Sequence, residues 1–509
     1  MNNQTEPRGV RHIAIAGGGT SGWMTAAMLA RTIPRDVCQI TVIEPPGPRG
    51  IGVGEASIPS LVSLLKRFQA DEAEMMRACE GTYKLAIRFL DWIDAGSDHW
   101  HPFGVCGAKI DGRDLFPWWM AQRQRGEAVL PYHEYSLHYH ACIHGRGPHF
   151  AQGASPIAET QSYAFHFNAE ALAGWLRQVA LTAGVREVHG AVESAVRNES
   201  GDVEMVHVTQ GQTVTADFFI DCSGFRSILM NETLQDPFQS WNQNLLCDRA
   251  VAWKIPGGAR IPPFTVSKAL QAGWMWQIPL IEHTGLGYVY SSQFITEETA
   301  WDQFQQAVPE LDLSKATPRF LKMRVGRQSS FWKHNVLAVG LSAGFLEPLE
   351  STGIHLSQVG IELFLQLFSL RGEFSASRDY YNSAMAKLYD DVRDFVQMHY
   401  WLSQRDDTPF WKAARNAALS SALTQRLQLY DETGMFDVLQ REAFPDTSYY
   451  HILAGSRRLP KRAPLFAMAA TTDMVQHVLD SITVQNHHAL AQLAPHESAR
   501  GIQAWRRSA

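Results

Sequence analysis

An α/β fold, built on a parallel sheet with an inserted antiparallel sheet and a mostly helical C-terminal part, is predicted by three features of the chain. The first is a short apolar strand, His12 to Ala16, that enters the turn Gly17-Gly18-Gly19-Thr20-Ser21-Gly22 and then an apolar helix. The second is a series of short strand-like runs between about residues 185 and 294, punctuated by turn residues. The third is the helical character of the chain from Arg378 onward.

Taken in order, the strand His12 to Ala16, a helix from Trp23 to about Arg31 and a strand from Gln39 to Glu44 make a strand–turn–helix–strand unit of the parallel kind. Gly17, Gly19 and Gly22 stand as G-x-G-x-x-G. The first permits the tight turn, the second lets backbone approach a pyrophosphate, and the third permits close helix packing. The helix N-terminus that follows, with Thr20 and Ser21 in the turn, offers unpaired N–H groups and a positive dipole to phosphate. Glu44 ends the next strand, where an acceptor for a ribose hydroxyl is expected. These features predict a Rossmann-like dinucleotide-binding domain. Gly52-Val53-Gly54-Glu55-Ala56 is a second glycine-rich loop soon after it.

Ala70 to Ala95 reads as a helix, with Lys84, Arg88 and Asp91 on one polar, solvated stripe. Val185 to Thr215 intersperses valines with polar residues and predicts antiparallel strands. Ala216 to Asp221 is a buried strand ending in Cys222-Ser223-Gly224. Trp274 to Leu280 and Gly287 to Phe294 are strands of the second, antiparallel sheet. Asn335 to Gly340 is a short buried strand, followed by a helix from about Gly353 to Arg371. The segment from about Asp431 to Pro460 is turn-rich. A soft boundary near residue 375 divides the chain into a catalytic domain, 1–375, and a closely packed, mostly helical substrate-side region, 376–509.

Composition excludes several classes. A net charge of -6 argues against a nucleic-acid binder that works by neutralising phosphates. The cysteines are scattered without a C-x-x-C pair, which fits a reducing cytoplasm. No His/Cys/Asp spacing suggests a metal. Residues Met1 to Gly9 are polar, and no apolar run approaches the roughly 20 residues of a membrane helix. A cytoplasmic protein without membrane or nucleic-acid partners, monomeric or homodimeric, is expected.

Trp274-Met275-Trp276-Gln277-Ile278-Pro279 reads W-x-W-x-I-P. Two tryptophans at i and i+2 of a strand point the same way. Such a face either walls a flavin off from a substrate or forms an aromatic core. Ala216 to Gly224 resembles the strand-to-loop element of flavin monooxygenases, and Asn335 to Gly340 resembles their late strand beside the flavin ring. FAD is therefore expected rather than NAD, in an FAD-binding domain of the flavin monooxygenase type. Leu341 follows Gly340 where many monooxygenases carry an aspartate.

Four further motifs complete the pattern. They are Gly17 to Trp23 as GGGTxGW, Gly52 to Ala56 as GVGEA, Lys84 within Tyr83-Lys84-Leu85-Ala86-Ile87-Arg88-Phe89, and Phe345 to Ile354 as FLEPLESTGI. In this order, from Ile13 to about Leu459, they resemble the tryptophan-halogenase family of flavin-dependent halogenases. The resemblance implies that FAD, supplied as FADH2 by a separate flavin reductase, is held by Gly17, Gly19, Thr20, Ser21, Gly22, Glu44, Gly54, Glu55, Ala56, Gly340 and Leu349. It implies chloride or bromide at Thr352 and Gly353, where a helix N-terminus suits an anion. Halide attacks the C4a-hydroperoxide, and the resulting hypohalous acid travels to Lys84, which acts through a hydrogen bond or as a haloamine. Glu350 orients the electrophile or takes the ring proton, and Ser351 couples the two ends. Without the family match, Glu347 and Glu350 would simply favour the following helix dipole.

The resemblance also places Trp274, Trp276, Ile278 and Pro279 on the tunnel, and His101 and Phe103 beside the substrate. His166 and His399 recur in the family pattern, with a satisfied core histidine as the default for each. Tryptophan-specific members grip the amino-acid backbone with a tyrosine pair and a glutamate, followed by Phe-Trp. Here Ala443-Phe444 replaces Phe-Trp, and Glu432 to Arg441 shows no tyrosine pair. An electron-rich aromatic, indole or an indole derivative, is expected instead of free tryptophan, with Phe444 stacking on it or serving the core. An aromatic hydroxylase, or a flavin-binding protein without halogenating activity, is the alternative.

Overall fold

A computed structural model describes residues 9–47, 54–150, 162–258, 260–309, 311, 318–436, 443–498 and 502. Strand His12–Ala16 runs into helix Thr20–Thr32 and then strand Gln39–Glu44. The helix begins at Thr20 rather than Trp23 because Gly19 already serves as its N-cap. A six-stranded sheet orders Trp332–Lys333, Val336–Ala338, Phe218–Asp221, His12–Ala16, Gln39–Glu44 and Arg186–His189. All its pairs are parallel except the first. The apolar runs IAIA and TVIE are buried nearly throughout, as strands covered on both faces must be. Helix Thr20–Thr32 packs against helices Ala169–Thr182 and Gly353–Leu367.

The second sheet has seven strands in the order Arg319–Lys322, Arg249–Pro256, His283–Tyr290, Gly273–Pro279, Phe264–Leu270, Ala86–Leu90 and Asp98–Pro102. One pair in it, Phe264–Leu270 with Ala86–Leu90, is parallel, so the sheet is mixed rather than purely antiparallel. The expected helix from Ala70 to Ala95 does not form. Only Glu72–Ala78 is helical, and Thr82–Lys84 and Ala86–Leu90 are strands. Thr, Tyr, Ile and Phe favour a pleated, half-buried surface. The stripe of Lys84, Arg88 and Asp91 is therefore a false periodicity, and Lys84 is fully buried. Similarly, Arg186–His189 joins the parallel sheet, while Val192–Arg197, Val203–Val208 and Gln212–Thr215 form a separate antiparallel sheet.

The C-terminal part is built on the helices Ser375–Leu402 and Thr472–Gln492. The turn-rich reading of 431–460 needs correction, because Asp446–Gly455 is a helix packed on strand Asp98–Pro102. Pro445 pre-sets its entry as N-cap. Residues 437–442 of the expected tyrosine-pair region lie outside the described residues, as do Gly52 and Val53. One continuous apolar core includes Ile13, Trp23, Trp274 and Phe444. Among the described residues no helix is long and apolar enough to cross a membrane.

Candidate active site

The glycine turn is shaped by close backbone approach. Gly17 has φ +115, and a Cβ there would lie 2.2 Å from Cys222 O. A Cβ on Gly22 would lie 1.9 Å from Gly17 O, so any side chain would force the helix off the strand. Glu44, buried at its strand end, accepts from Trp23 Nε1 at 3.2 Å and closes over Gly18. Ser21 Oγ lies 3.1 Å from Ser357 Oγ, and Gly340 leaves room for it. Thr20 Oγ1 donates to Ala169 O. A helix N-terminus bare of side-chain caps, a glycine turn and a buried acid together fit the pyrophosphate and ribose of a dinucleotide.

Strand Gly273–Pro279 passes the second glycine loop. A Cβ on Gly54 would sit 3.3 Å from both Ile278 Cγ2 and Leu280 Cδ1. Pro279 O accepts from Thr82 Oγ1 at 2.7 Å, tying the tryptophan strand to the strand that carries Lys84. Trp274 and Trp276 are buried with ring centroids 6.2 Å apart. Trp276 lies flat over Gly287, where a Cβ would come within 2.0 Å of the ring.

Trp274 Nε1 donates to Glu347 Oε2 at 2.7 Å, and Tyr400 OH donates to the same oxygen at 2.5 Å. Glu347 is fully buried, and desolvation raises its carboxyl to about 7 against the pull of those two bonds. It thus locks Trp274 to Tyr400 and is not merely a complement to a helix dipole. Glu347→Leu should destabilise the protein by about 2–4 kcal/mol, because two buried donors lose their acceptor. Glu347→Gln keeps an acceptor oxygen and should cost less than about 1 kcal/mol. Denaturant unfolding compares them, and equal stabilities would dismiss the lock.

Pro348–Glu350 is a 3-10 turn with Leu349 buried, Ser351 adopts φ +60, and Thr352 caps helix Gly353–Leu367. The left-handed Ser351 swings its hydroxyl to Lys84, whose Nζ donates to Ser351 Oγ at 2.7 Å and to Ser57 O at 3.2 Å. The ammonium sits 5.1 Å from the Phe103 ring centroid. Burial lowers the Lys84 pKa to about 7, partly opposed by the charge of Glu350. No ion pair joins Lys84 to Glu350 among the described residues; Lys84 instead bonds Ser351, the residue next to Glu350 in the chain. Glu55 and Ala56 pair with the strand Ala164–Phe167 that also pairs with Lys84. Glu55 Oε1 lies 3.7 Å from where a Cβ on Gly353 would be, and desolvation raises its carboxyl to about 7.

Glu350 is gripped by two imidazoles. His101 Nδ1 is 2.9 Å from Oε2, and His399 Nε2 is 3.0 Å from Oε1 at an angle poor for a hydrogen bond. Burial alone would raise the carboxyl, but these contacts outweigh it and hold Glu350 at about 2. Burial lowers the pKa of His399, while its contact with the Glu350 carboxylate pulls the other way. His399 and Tyr400, adjacent on helix Ser375–Leu402, thus serve Glu350 and Glu347 respectively.

His399 is therefore not only a core histidine, although it also stacks on Phe89. His166 is one: Thr82 and Thr265 meet its two nitrogens at 3.0 and 2.9 Å. Phe103 edges His101 at 6.0 Å. Phe444 stacks at 3.9 Å on Phe395, which in turn edges His101 and His399. Lys84, Ser351, Glu350, His101 and Phe103 are thus brought together, and Phe444 reaches them through Phe395. Ser57, Tyr400 and His451 escaped the sequence reading; none sits at a spacing that marks chemistry.

The family model described as tryptophan halogenase matches residues 12–472. The chain is 33% identical over 518 residues to the tryptophan 7-halogenase RebH of Lentzea aerocolonigenes, spanning 94% of this chain and 96% of that protein. It is 33% identical over 494 residues to the tryptophan 6-halogenase ThaL of Streptomyces albogriseolus, spanning 90% and 92%. A solved flavin-dependent halogenase from Xanthomonas campestris is similar in fold, with a TM-score of 0.90, 33% identity and 98% of each chain covered. The flavin-dependent halogenase BrvH from Brevundimonas sp. BAL3 gives 0.89, 32%, and 96% and 98% coverage. The motif order, the fold and these likenesses agree: the chain belongs to the tryptophan halogenase family and is an enzyme, a flavin-dependent halogenase.

Proposed function

We propose that this enzyme halogenates an electron-rich aromatic, indole or an indole derivative, in preference to free tryptophan. Flavin-dependent halogenases work with reduced flavin from a separate reductase, and that arrangement suits a chain with one dinucleotide fold. Reduced FAD with oxygen supplies the oxidation of chloride or bromide to hypohalous acid. The residues Gly17, Gly19, Thr20, Ser21, Gly22, Glu44, Gly54, Glu55, Ala56, Gly340 and Leu349 would hold it.

The halide is assigned to the N–H groups at Thr352 and Gly353, the start of a 15-residue helix. Neutral Glu55 would not contest that anion below about pH 7. Trp274, Trp276, Ile278 and Pro279 keep the aromatic from the oxidant's source, so the oxidant must travel. Lys84 receives it. Two of its N–H bonds are committed to Ser57 and Ser351, leaving one position for the hypohalous acid. Glu350 stabilises the cationic ring and accepts its proton. The helical region after residue 375 supplies the substrate side through His399 and Phe444.

One observation carries this reading: Ser351 joins the halide helix to buried Lys84, while the neighbouring Glu350 is held ionised among His101, His399 and the phenyl rings beyond. Those rings, with Ala443-Phe444 in place of Phe-Trp, suit a flat aromatic better than a zwitterion. The test supplies FADH2, oxygen and bromide or chloride with indole, tryptophan and phenols, followed by mass spectrometry. Halogenated indole is expected in excess over halogenated tryptophan. Hydroxylated product without halogen, or a clear preference for free tryptophan, would refute it.

A further inference from the structure

Most buried histidines in this fold have at least one ring nitrogen satisfied, and some, such as His166 and His496, have both. His166 lies between two threonine hydroxyls, and His496 accepts from Tyr83 N at 3.1 Å while facing Ile261 O at 2.7 Å. His451 breaks that pattern. It is 2% exposed, and among the described residues neither Nδ1 nor Nε2 has a hydrogen-bond partner. Leaving buried polar groups unmet is costly, so a fold that keeps such a residue gains from it in another state.

His451 is held firmly in place. Its helix, Asp446–Gly455, is fixed by Thr447 Oγ1 donating to Asp114 at 2.5 Å, by Tyr450 stacked on Phe116 at 4.3 Å, and by Tyr449 stacked on Phe436 at 4.1 Å. Tyr132 also bonds Asp114, and its ring lies 4.9 Å from that of His451. On its other side, the His451 ring is 6.3 Å from His101, the residue bonded to Glu350. His101 Nε2 is likewise unpartnered. The unpartnered nitrogens of His101 and His451 thus lie on two neighbouring rings, the first of which bonds the Glu350 carboxylate. Burial among His101, His133 and His138 keeps His451 neutral, so it offers one donor and one acceptor.

We propose that His451 is a specificity residue that accepts a hydrogen bond from the ring N–H of an indole-type substrate held beside Glu350. This rests on the indole reading above and adds the group by which the ring is recognised. A residue of this kind rejects a ring of the same shape that lacks the N–H.

The test compares binding of indole and benzothiophene to the purified protein by calorimetry, without reduced flavin, in wild type, His451→Phe and His451→Gln. Wild type should bind indole about tenfold more tightly, the worth of one neutral hydrogen bond. His451→Phe should bind the two alike, and His451→Gln, which retains an acceptor, should keep part of the preference. Thermal unfolding and FAD binding confirm that the variants fold. If His451→Phe does not fold, the wild-type ratio and the Gln variant still decide. Equal binding of the two ligands by wild type, binding of neither, or a preference that survives in His451→Phe would overturn the proposal. The halogenation assay is separate: failure to halogenate indole refutes the proposed function even where the His451-dependent preference is found.

Discussion

Replacing Lys84 with alanine is expected to abolish halogenation, by at least about 100-fold in turnover, while FAD still binds and reduced flavin is still oxidised at the normal rate. The residue is fully buried, and its two bonds reach Ser57 O and Ser351 Oγ, neither of which belongs to the glycine turn that would hold the cofactor. Lys84→Met fills the same space without a charge. It leaves Ser57 O and Ser351 Oγ without their donor, so thermal unfolding is measured alongside FAD binding to separate lost chemistry from lost fold. Hypohalous acid should accumulate in both variants and be captured by a soluble trap. With an ammonium as the acting form, wild-type activity should be flat on the acid side and fall as pH rises through about 7, where the buried lysine loses its proton. A rise over the same interval would mark the amine instead. Unchanged product formation in Lys84→Ala would remove the residue from the mechanism.

Why Lys84 could be singled out but not placed is instructive. Its motif was legible, because the surrounding residues are distinctive. Its strand was not, because the apparent 3.6-residue stripe through Arg88 and Asp91 is local, while the pairing that decides the conformation is not. Lys84 lies opposite Ala164, and the strand that follows it pairs with Phe264–Leu270. The N-terminal unit needed no such partner to be read, since the spacing of Gly17, Gly19, Gly22 and Glu44 is itself the constraint. Glu347 shows the opposite limit. Nothing local distinguishes it from a residue favouring a helix dipole, and its meaning comes from Trp274 and Tyr400, 73 and 53 positions away. His399 could be named from its motif but not given its contact with Glu350, and His451 went unnoticed, since a lone histidine carries no periodic signal.

Glu350→Gln is expected to lower ring halogenation by about 100-fold or more while leaving the yield of trapped hypohalous acid unchanged. Glutamine fills the same volume but cannot stay anionic between His101 and His399. A carboxylate held at about 2 is a weak base, yet the cationic ring formed when halogen adds to an aromatic is a strong acid, so a weak base with a fixed negative charge is the suitable acceptor. The variant also has a signature that a merely structural glutamate would not produce. The charge on Glu350 raises the Lys84 pKa against burial, so removing it must lower that pKa below its present value of about 7. The alkaline limb of the remaining activity should therefore move to lower pH than in wild type. An acid limb belonging to Glu350 should be absent from the wild-type profile above about pH 4, because the group is already ionised there. A Glu350→Gln enzyme whose alkaline limb stays in place would show that the two charges do not communicate, and would leave Glu350 as packing between the two histidines.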